Sequence, residues 1–192
     1  MRRGYITASE VHRVFSKPTT KSFRLYQKQL VLDHAGVPDH DDVDIKPWFE
    51  HGAKLEPRAR GAYEWKHDVD VVHDVFCIHP GEILACTPDG LVADDGGIEI
   101  KGRKYRYTYD RSISVQPTKR EWWQIQCCLF VTGRAWWDYV NYFENTSRKV
   151  RKMNILRILP DRVAFKQIES GAAKFMESVY QGVAEYRTQG IA

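Results

Sequence analysis

The sequence predicts an α/β domain in which helices pack on a small mixed β-sheet. Three observations carry this expectation. Apolar, largely β-branched residues over 69–78 and 83–86 flank the turn His79-Pro80-Gly81-Glu82, the pattern of paired strands. Towards the C-terminus, Ile168, Ala172, Phe175, Val179, Val183 and Tyr186 recur at spacings of three and four, the pattern of an amphipathic helix. The chain has 192 residues, 43% apolar and 12% aromatic, which suffices for the core of a single domain, 1–192, with no room for a second.

The elements follow in order. Thr7 or Ser9 suits the N-cap of a short helix ending near Phe15, and a second helix is predicted over 22–35, closed by Gly36. An acidic loop with Pro38 and Pro47 comes next. Residues 48–65 are helical in pattern, with Pro57 expected to kink or restart the helix at Glu56. Strands are predicted over 69–78 and 83–86, a third starts at Gly90, and a fourth spans 97–101 after the hairpin turn Asp94-Asp95-Gly96-Gly97. A helix is expected over 119–131, closed by Gly133. A strand over 135–143 pairs with one over 151–159, and Pro160-Asp161 opens the last helix.

Several classes are excluded by composition. No apolar run approaches the roughly 20 residues needed to cross a bilayer. The segment Met1-Arg2-Arg3-Gly4-Tyr5-Ile6 is basic but lacks the apolar stretch of a signal peptide, so no membrane association and a cytoplasmic location are expected. Cys77, Cys86, Cys127 and Cys128 show no CxxC spacing, which argues against zinc and for buried free thiols.

The net charge is only +4, but the charges are segregated. Residues 39–50 hold Asp39, Asp41, Asp42, Asp44 and Glu50 against Lys46. Residues 101–120 hold Lys101, Arg103, Lys104, Arg106, Arg111, Lys119 and Arg120 against Asp110. Arg148, Lys149, Arg151, Lys152 and Arg157 form a block without an acid, and the N-terminal segment adds Arg2, Arg3, Arg13, Lys17, Lys21 and Arg24 against Glu10. Each block could be plain solvated surface; three in one small domain point to a phosphate-tracking surface. Tyr105, Tyr107 and Tyr109 alternate with Arg106 and Thr108, a period of two that suits a strand or extended loop. They could stack on bases or simply on one another.

The strongest local signal is Ala85-Cys86-Thr87-Pro88-Asp89-Gly90 followed by Gly97-Ile98-Glu99-Ile100-Lys101. Side chains alternate along a strand, so Glu99 and Lys101 share a face and Ile100 points to the core, while Asp89 sits at a turn on the neighbouring arm. Two carboxylates and an ammonium converge. Such hard oxygens suit Mg²⁺ or Mn²⁺, which take one or two carboxylates plus substrate phosphates, and the Ile100 carbonyl is a further candidate ligand. Lys101 is then placed to orient an attacking water and offset developing charge. The competing reading is a surface hairpin with an accidental Glu-x-Lys pair. Glu56 upstream, and Gln124 and Gln126 on a helix otherwise built for burial, are further candidates; an inward-pointing glutamine needs a partner, and Lys101 or a metal-bound water would serve, the competing reading being a solvated glutamate and exposed glutamines.

These residues resemble the PD-(D/E)xK nuclease superfamily, and within it the lambda-exonuclease-like (YqaJ-type) phage recombination nucleases. The resemblance runs over nearly the whole chain: Ile6-Thr7-Ala8-Ser9-Glu10-Val11-His12, Gly52…Glu56…Ala59, Thr87-Pro88-Asp89-Gly90-Leu91, Glu99-Ile100-Lys101, and Gln124-Ile125-Gln126 with Val131-Thr132 and Trp136 or Trp137 beyond. It implies a restriction-endonuclease-like core and a Mg²⁺-dependent 5′-to-3′ exonuclease on double-stranded DNA ends. Such an enzyme releases mononucleotides and leaves a 3′ single strand for an annealing protein, in a bacterial host as part of a phage or prophage. By position it implies Asp89, Glu99 and the Ile100 carbonyl as metal ligands and Glu56 on a metal or its water. It further implies Lys101 as the residue that positions the nucleophile, Gln124 as its orienter, and Arg2, Ser9 and Thr87 around the 5′ phosphate. A ring-shaped homotrimer is implied as well. A restriction-like endonuclease and a non-catalytic DNA-end-binding module remain the alternatives.

Overall fold

The computed structural model describes the backbone of residues 3–38, 47–112 and 116–188, and the side chains of all of these except 47–53. The predicted acidic loop falls largely on 39–46, and Arg2 on the N-terminal pair, so both lie outside the described residues.

The α/β expectation is met by two sheets flanked by helices. Five strands, β1 (Ile6–Thr7), β2 (Val71–Val72), β3 (Cys77–Ile78), β4 (Leu84–Cys86) and β5 (Gly90–Val92), precede the long β6 (Gly96–Arg103). β7 (Trp136–Asn145) and β8 (Val150–Ile158) follow. The helices are α1 (Lys21–Ala35), α2 (Pro47–His67), α3 (Arg106–Ser112), α4 (Lys119–Thr132) and α5 (Arg162–Thr188). One sheet has the order β1-β4-β3 and the other β2-β5-β6-β7-β8, so β6 is the middle strand of five. It pairs antiparallel with β5 and parallel with β7, in the register Glu99↔Tyr139 and Lys101↔Asn141.

Both faces of the larger sheet are covered. Ile98, Ile100, Val140 and Tyr142 pack against Leu55, Ala59 and Tyr63 of α2. On the other side Trp137 and Tyr139 join the core formed with α1, α4 and α5. Parallel pairing with both faces covered makes β6 a buried strand, and Gly96 to Ile100 are all buried. The helices are fixed by their ends. Thr20 caps α1, accepting a hydrogen bond from the Phe23 amide at 3.3 Å. Thr118 and Glu121 form a reciprocal capping box on α4, and Gly133 closes it in the left-handed conformation. Asp161 caps α5 by accepting from the amides of Val163 and Ala164.

Four local expectations are corrected. Residues 69–78 form two short strands in different sheets, parted at Asp74, whose positive φ of 59° breaks the extended run. Helix α2 runs continuously through Pro57. The N-terminal segment is a strand and a short 3₁₀ turn at Val11–Arg13 with no side-chain cap, because Ile6 and Ala8 bond across to Ile83 and Ala85. Tyr107 and Tyr109 lie on helix α3, not on a strand.

The turn between β5 and β6 also falls one residue early, so the strand begins at Gly96 and not at Gly97. The reason is close approach. A Cβ on Gly96 would come within 2.0 Å of the Trp136 ring, and one on Gly97 within 2.4 Å of the Trp137 ring. The two indoles lie over the start of β6 and leave room only for glycine. Gly97→Ala should therefore cost about 1–3 kcal/mol through overpacking against the rigid, fully buried Trp137, lowering Tm by several degrees. Thermal melts of the two proteins test this; an unchanged Tm would mean that β6 and β7 can slide apart at no cost.

Candidate active site

Asp89 follows β4 and directly precedes β5, and its carboxylate reaches across to the next strand. Its Oδ2 accepts from the Ile100 amide at 2.6 Å. On β6, Glu99 and Lys101 share a face as the alternation requires, and the Lys101 ammonium donates to Glu99 Oε1 at 2.6 Å. From α4, Gln124 donates to the same Glu99 oxygen at 2.7 Å. The expected role of Gln124 as orienter of Lys101 is thus indirect, through the carboxylate they share. Gln126, the other candidate on that helix, is structural: it donates to the Leu159 carbonyl and accepts from the Asp161 amide, tying α4 to the start of α5.

Glu99 is 2% exposed, and its second oxygen, Oε2, has no hydrogen-bond partner among the described residues. A buried, one-sided carboxylate is costly unless something else binds it. Asp89 feels the consequence: burial and then the charge of Glu99 hold its pKa well above the usual carboxylate range, against the pull of the Ile100 amide. Burial works against the charge of Lys101, but the Glu99 carboxylate outweighs it and keeps the ammonium above its ordinary pKa. Lys101 therefore stays protonated at neutral pH.

Glu56 is near enough for its charge to push Asp89 up further. It binds Arg60 at 2.7 Å, one helical turn on, and Arg60 in turn donates from Nε to the Asp89 backbone carbonyl at 3.1 Å. Arg60 thus clasps α2 to the Asp89 turn. Reasoning from sequence missed it, although the Glu56-x-x-x-Arg60 spacing signals it. Among the described residues no three His, Cys, Asp or Glu side chains form a ready-made metal cluster. Two carboxylates with an orphaned buried oxygen nevertheless fit a Mg²⁺-like ion that completes its shell with water and substrate phosphate.

Parallel pairing of β1 with β4 brings two other candidates together. Thr7 lies opposite Ala85, so Ser9 and Thr87 leave the same end of adjacent strands. The Ser9 and Thr7 hydroxyls are 3.4 Å apart. The remaining suspects are structural. His79 stacks on Phe130 at 4.5 Å. All four cysteines are free, as expected, and burial pushes the Cys127 thiol up, which makes it inert.

Residues 1–135 match the YqaJ-like viral recombinase domain. The chain belongs to that family. An alkaline exonuclease from Laribacter hongkongensis, LHK-Exo, has a similar structure, with TM-score 0.84 and 25% identity over 99% of this chain and 95% of its own. Its complex with dAMP matches at TM-score 0.83 and 26% identity over the same shares. A phage-related exonuclease from Haemophilus somnus 129PT shares the fold, with TM-score 0.70 over 94% of this chain and 96% of its own, at 10% identity. No curated protein matches the sequence.

The raised pKa of Asp89 has a thermodynamic counterpart. A carboxyl whose folded pKa exceeds its unfolded value stabilises the fold below the unfolded pKa, and that contribution is lost as pH rises through the folded value. At neutral pH the carboxylate pair is therefore a liability that a bound divalent cation would relieve. Mg²⁺ should raise Tm of the wild-type chain at pH 7. Asp89→Asn should raise Tm of the metal-free chain by a few degrees and abolish the response to Mg²⁺. An undiminished response in that variant would remove Asp89 from the cation site.

Proposed function

We propose that this chain is a Mg²⁺-dependent exonuclease of phage-type recombination, which digests double-stranded DNA ends 5′ to 3′ and leaves a 3′ single-stranded overhang. The observation that carries the reading is Glu99: a buried carboxylate held on one oxygen by Lys101 and Gln124 and left without a partner among the described residues on the other, beside Asp89. Family membership and likeness to LHK-Exo, whose complex holds dAMP, favour an exonuclease that releases mononucleotides over a restriction-like endonuclease.

In this reading Asp89, Glu99 and the Ile100 carbonyl hold the ion, with Glu56 as a further ligand to it or its water once drawn from Arg60; Mn²⁺ can substitute. An ion held there would supply Lewis-acid polarisation of a phosphoryl oxygen and would lower the pKa of a bound water. The chain does the rest. Lys101 is an ammonium with 25% of its side chain exposed, so it can donate to the attacking water or to charge that builds on the phosphate, and it is no general base. Gln124 fixes the Glu99 oxygen on which Lys101 rests and so sets the direction of the ammonium. Ser9 and Thr87 offer hydroxyls for the terminal 5′ phosphate, with Arg2 as its counter-charge. The whole of 1–192 acts as one nuclease domain. A ring-shaped homotrimer around the duplex, a single-strand annealing protein as recipient of the overhang, and the bacterial cytoplasm as location complete the proposal. No helix among the described residues is long and apolar enough to cross a membrane.

The test compares linear and covalently closed circular duplex DNA, with Mg²⁺ or EDTA, and with 5′-phosphate or 5′-hydroxyl ends. Mg²⁺-dependent release of mononucleotides from linear DNA alone is expected. Cutting of the closed circle would indicate an endonuclease, and no product from any DNA would leave an end-binding module. Lys101→Ala should lower cleavage by at least about a hundredfold, as loss of a charge-stabilising donor does, while DNA binding in EDTA is retained. Loss of binding would mean that the lysine grips DNA rather than serving the reaction.

A further inference from the structure

The alternation that puts Glu99 and Lys101 on one face of β6 puts Arg103 there too, about 7 Å beyond Lys101. That step is comparable with the spacing of successive phosphates along one DNA strand. Arg103 donates to Asn141 Oδ1 at 2.9 and 2.6 Å and to the Tyr139 hydroxyl at 2.9 Å, all neutral in their ordinary forms. Its nearest carboxylate, on Glu121, is 3.9 Å away, and that group accepts from the Thr118 amide at 2.8 Å as part of the α4 cap. The guanidinium is thus fixed in direction while its charge is only loosely matched. It faces a cavity of about 330 Å³ whose walls include Tyr107, Thr108 and Tyr139.

Aromatic surface adjoins this cavity. Helix α3 is anchored by Tyr109, which is buried and lies 6.3 Å from the Phe143 ring, with Lys152 reaching Asp110 at 3.4 Å. Two residues from Tyr109 on a helix, Tyr107 is turned to the opposite side. Tyr105 and Tyr107 are 49% and 65% exposed and stack on each other, with ring centroids 5.5 Å apart and planes 15° apart. Lys104 sits 5.3 Å above the Tyr105 ring. An exposed, pre-stacked aromatic pair among cations is the surface that nucleobases use, because every base offers a π-face.

Resting on the exonuclease reading, we infer that the cavity beyond Lys101 is a subsite for the nucleotide that follows the scissile phosphate on the strand being cut. Arg103 contacts its phosphodiester, and the Tyr105–Tyr107 pair stacks its base. The occupant is a nucleotide rather than a protein segment because phosphate and base chemistry meet here at a one-nucleotide step from the catalytic lysine. The contact would unstack the second base from the duplex end and hold the strand in register between cuts.

The experiment uses the full chain in EDTA with a 5′-phosphorylated duplex carrying 2-aminopurine, a base whose fluorescence reports stacking, at the second nucleotide or ten nucleotides inward. Wild type should change the signal at the second position only. The double variant Tyr105→Ala/Tyr107→Ala should lose that change and bind the end about tenfold more weakly, as loss of a stacked base does, while Tyr105→Phe/Tyr107→Phe restores both. Arg103→Ala should reduce the salt dependence of binding by about one phosphate contact. A wild-type signal in the double alanine variant, or an unchanged salt slope in Arg103→Ala, would overturn the subsite and leave the exonuclease standing. Wild type that binds no DNA end would overturn both.

Discussion

A single buried charge, that of Glu99, sets the terms for the rest of the structure. Removing a carboxylate from water costs several kcal/mol unless partners replace the solvent. Here one oxygen is served by Lys101 from the same strand and by Gln124 from α4. The second partner exists only if α4 is docked at the right height, which its capping box and the bonds of Gln126 to the start of α5 secure. The first is local to β6, and the register of β6 between β5 and β7, which Gly96 and Gly97 permit by giving way to two tryptophans, sets the Glu99–Lys101 pair beside Asp89 and Gln124. A distant core contact and the placing of the Glu99 carboxylate under α4 are in this sense one structural fact.

The site is also built to be incomplete. Glu99 keeps an oxygen without a partner among the described residues, and Asp89, drawn in by the Ile100 amide, faces a like charge at close quarters. Strongly shifted protonation caused by burial and a specific charged neighbour marks functional sites more often than structural ones. The arrangement spends stability on affinity for something absent from the chain itself, the usual relation between an active site and its fold. Arg60, held by Glu56 and the Asp89 carbonyl, and Arg103, held by neutral acceptors, extend the pattern by placing cations beside the carboxylates.

Much of this was legible in the sequence, and the legible parts share a cause. Asp89, Glu99 and Lys101 are set by local geometry, a turn and a two-residue alternation, which sequence spacing reports directly. The helices over 22–35, 119–131 and after Asp161 announced themselves by caps and periodicity. What escaped depends on contacts far apart in sequence. Nothing local says that 69–78 divides between two sheets, or that Gly96 and Gly97 lie under indoles forty residues away. The tyrosine alternation at 105–109 imitates a strand because Tyr109 is wanted in the core and Tyr107 at the surface, and helix α3 meets both demands. The sequence marks Gln124 only as a glutamine on a helix built for burial, and the fold reveals that its partner is Glu99.

Anomalous scattering from Mn²⁺-soaked crystals of the full chain locates a cation against individual oxygens. A peak in contact with Glu99 Oε2 and the Asp89 carboxylate, absent in Glu99→Gln, is the expected result. A peak elsewhere, or none at these carboxylates while the protein still degrades DNA, would contradict the assignment of Glu99 as the residue on which the site is built.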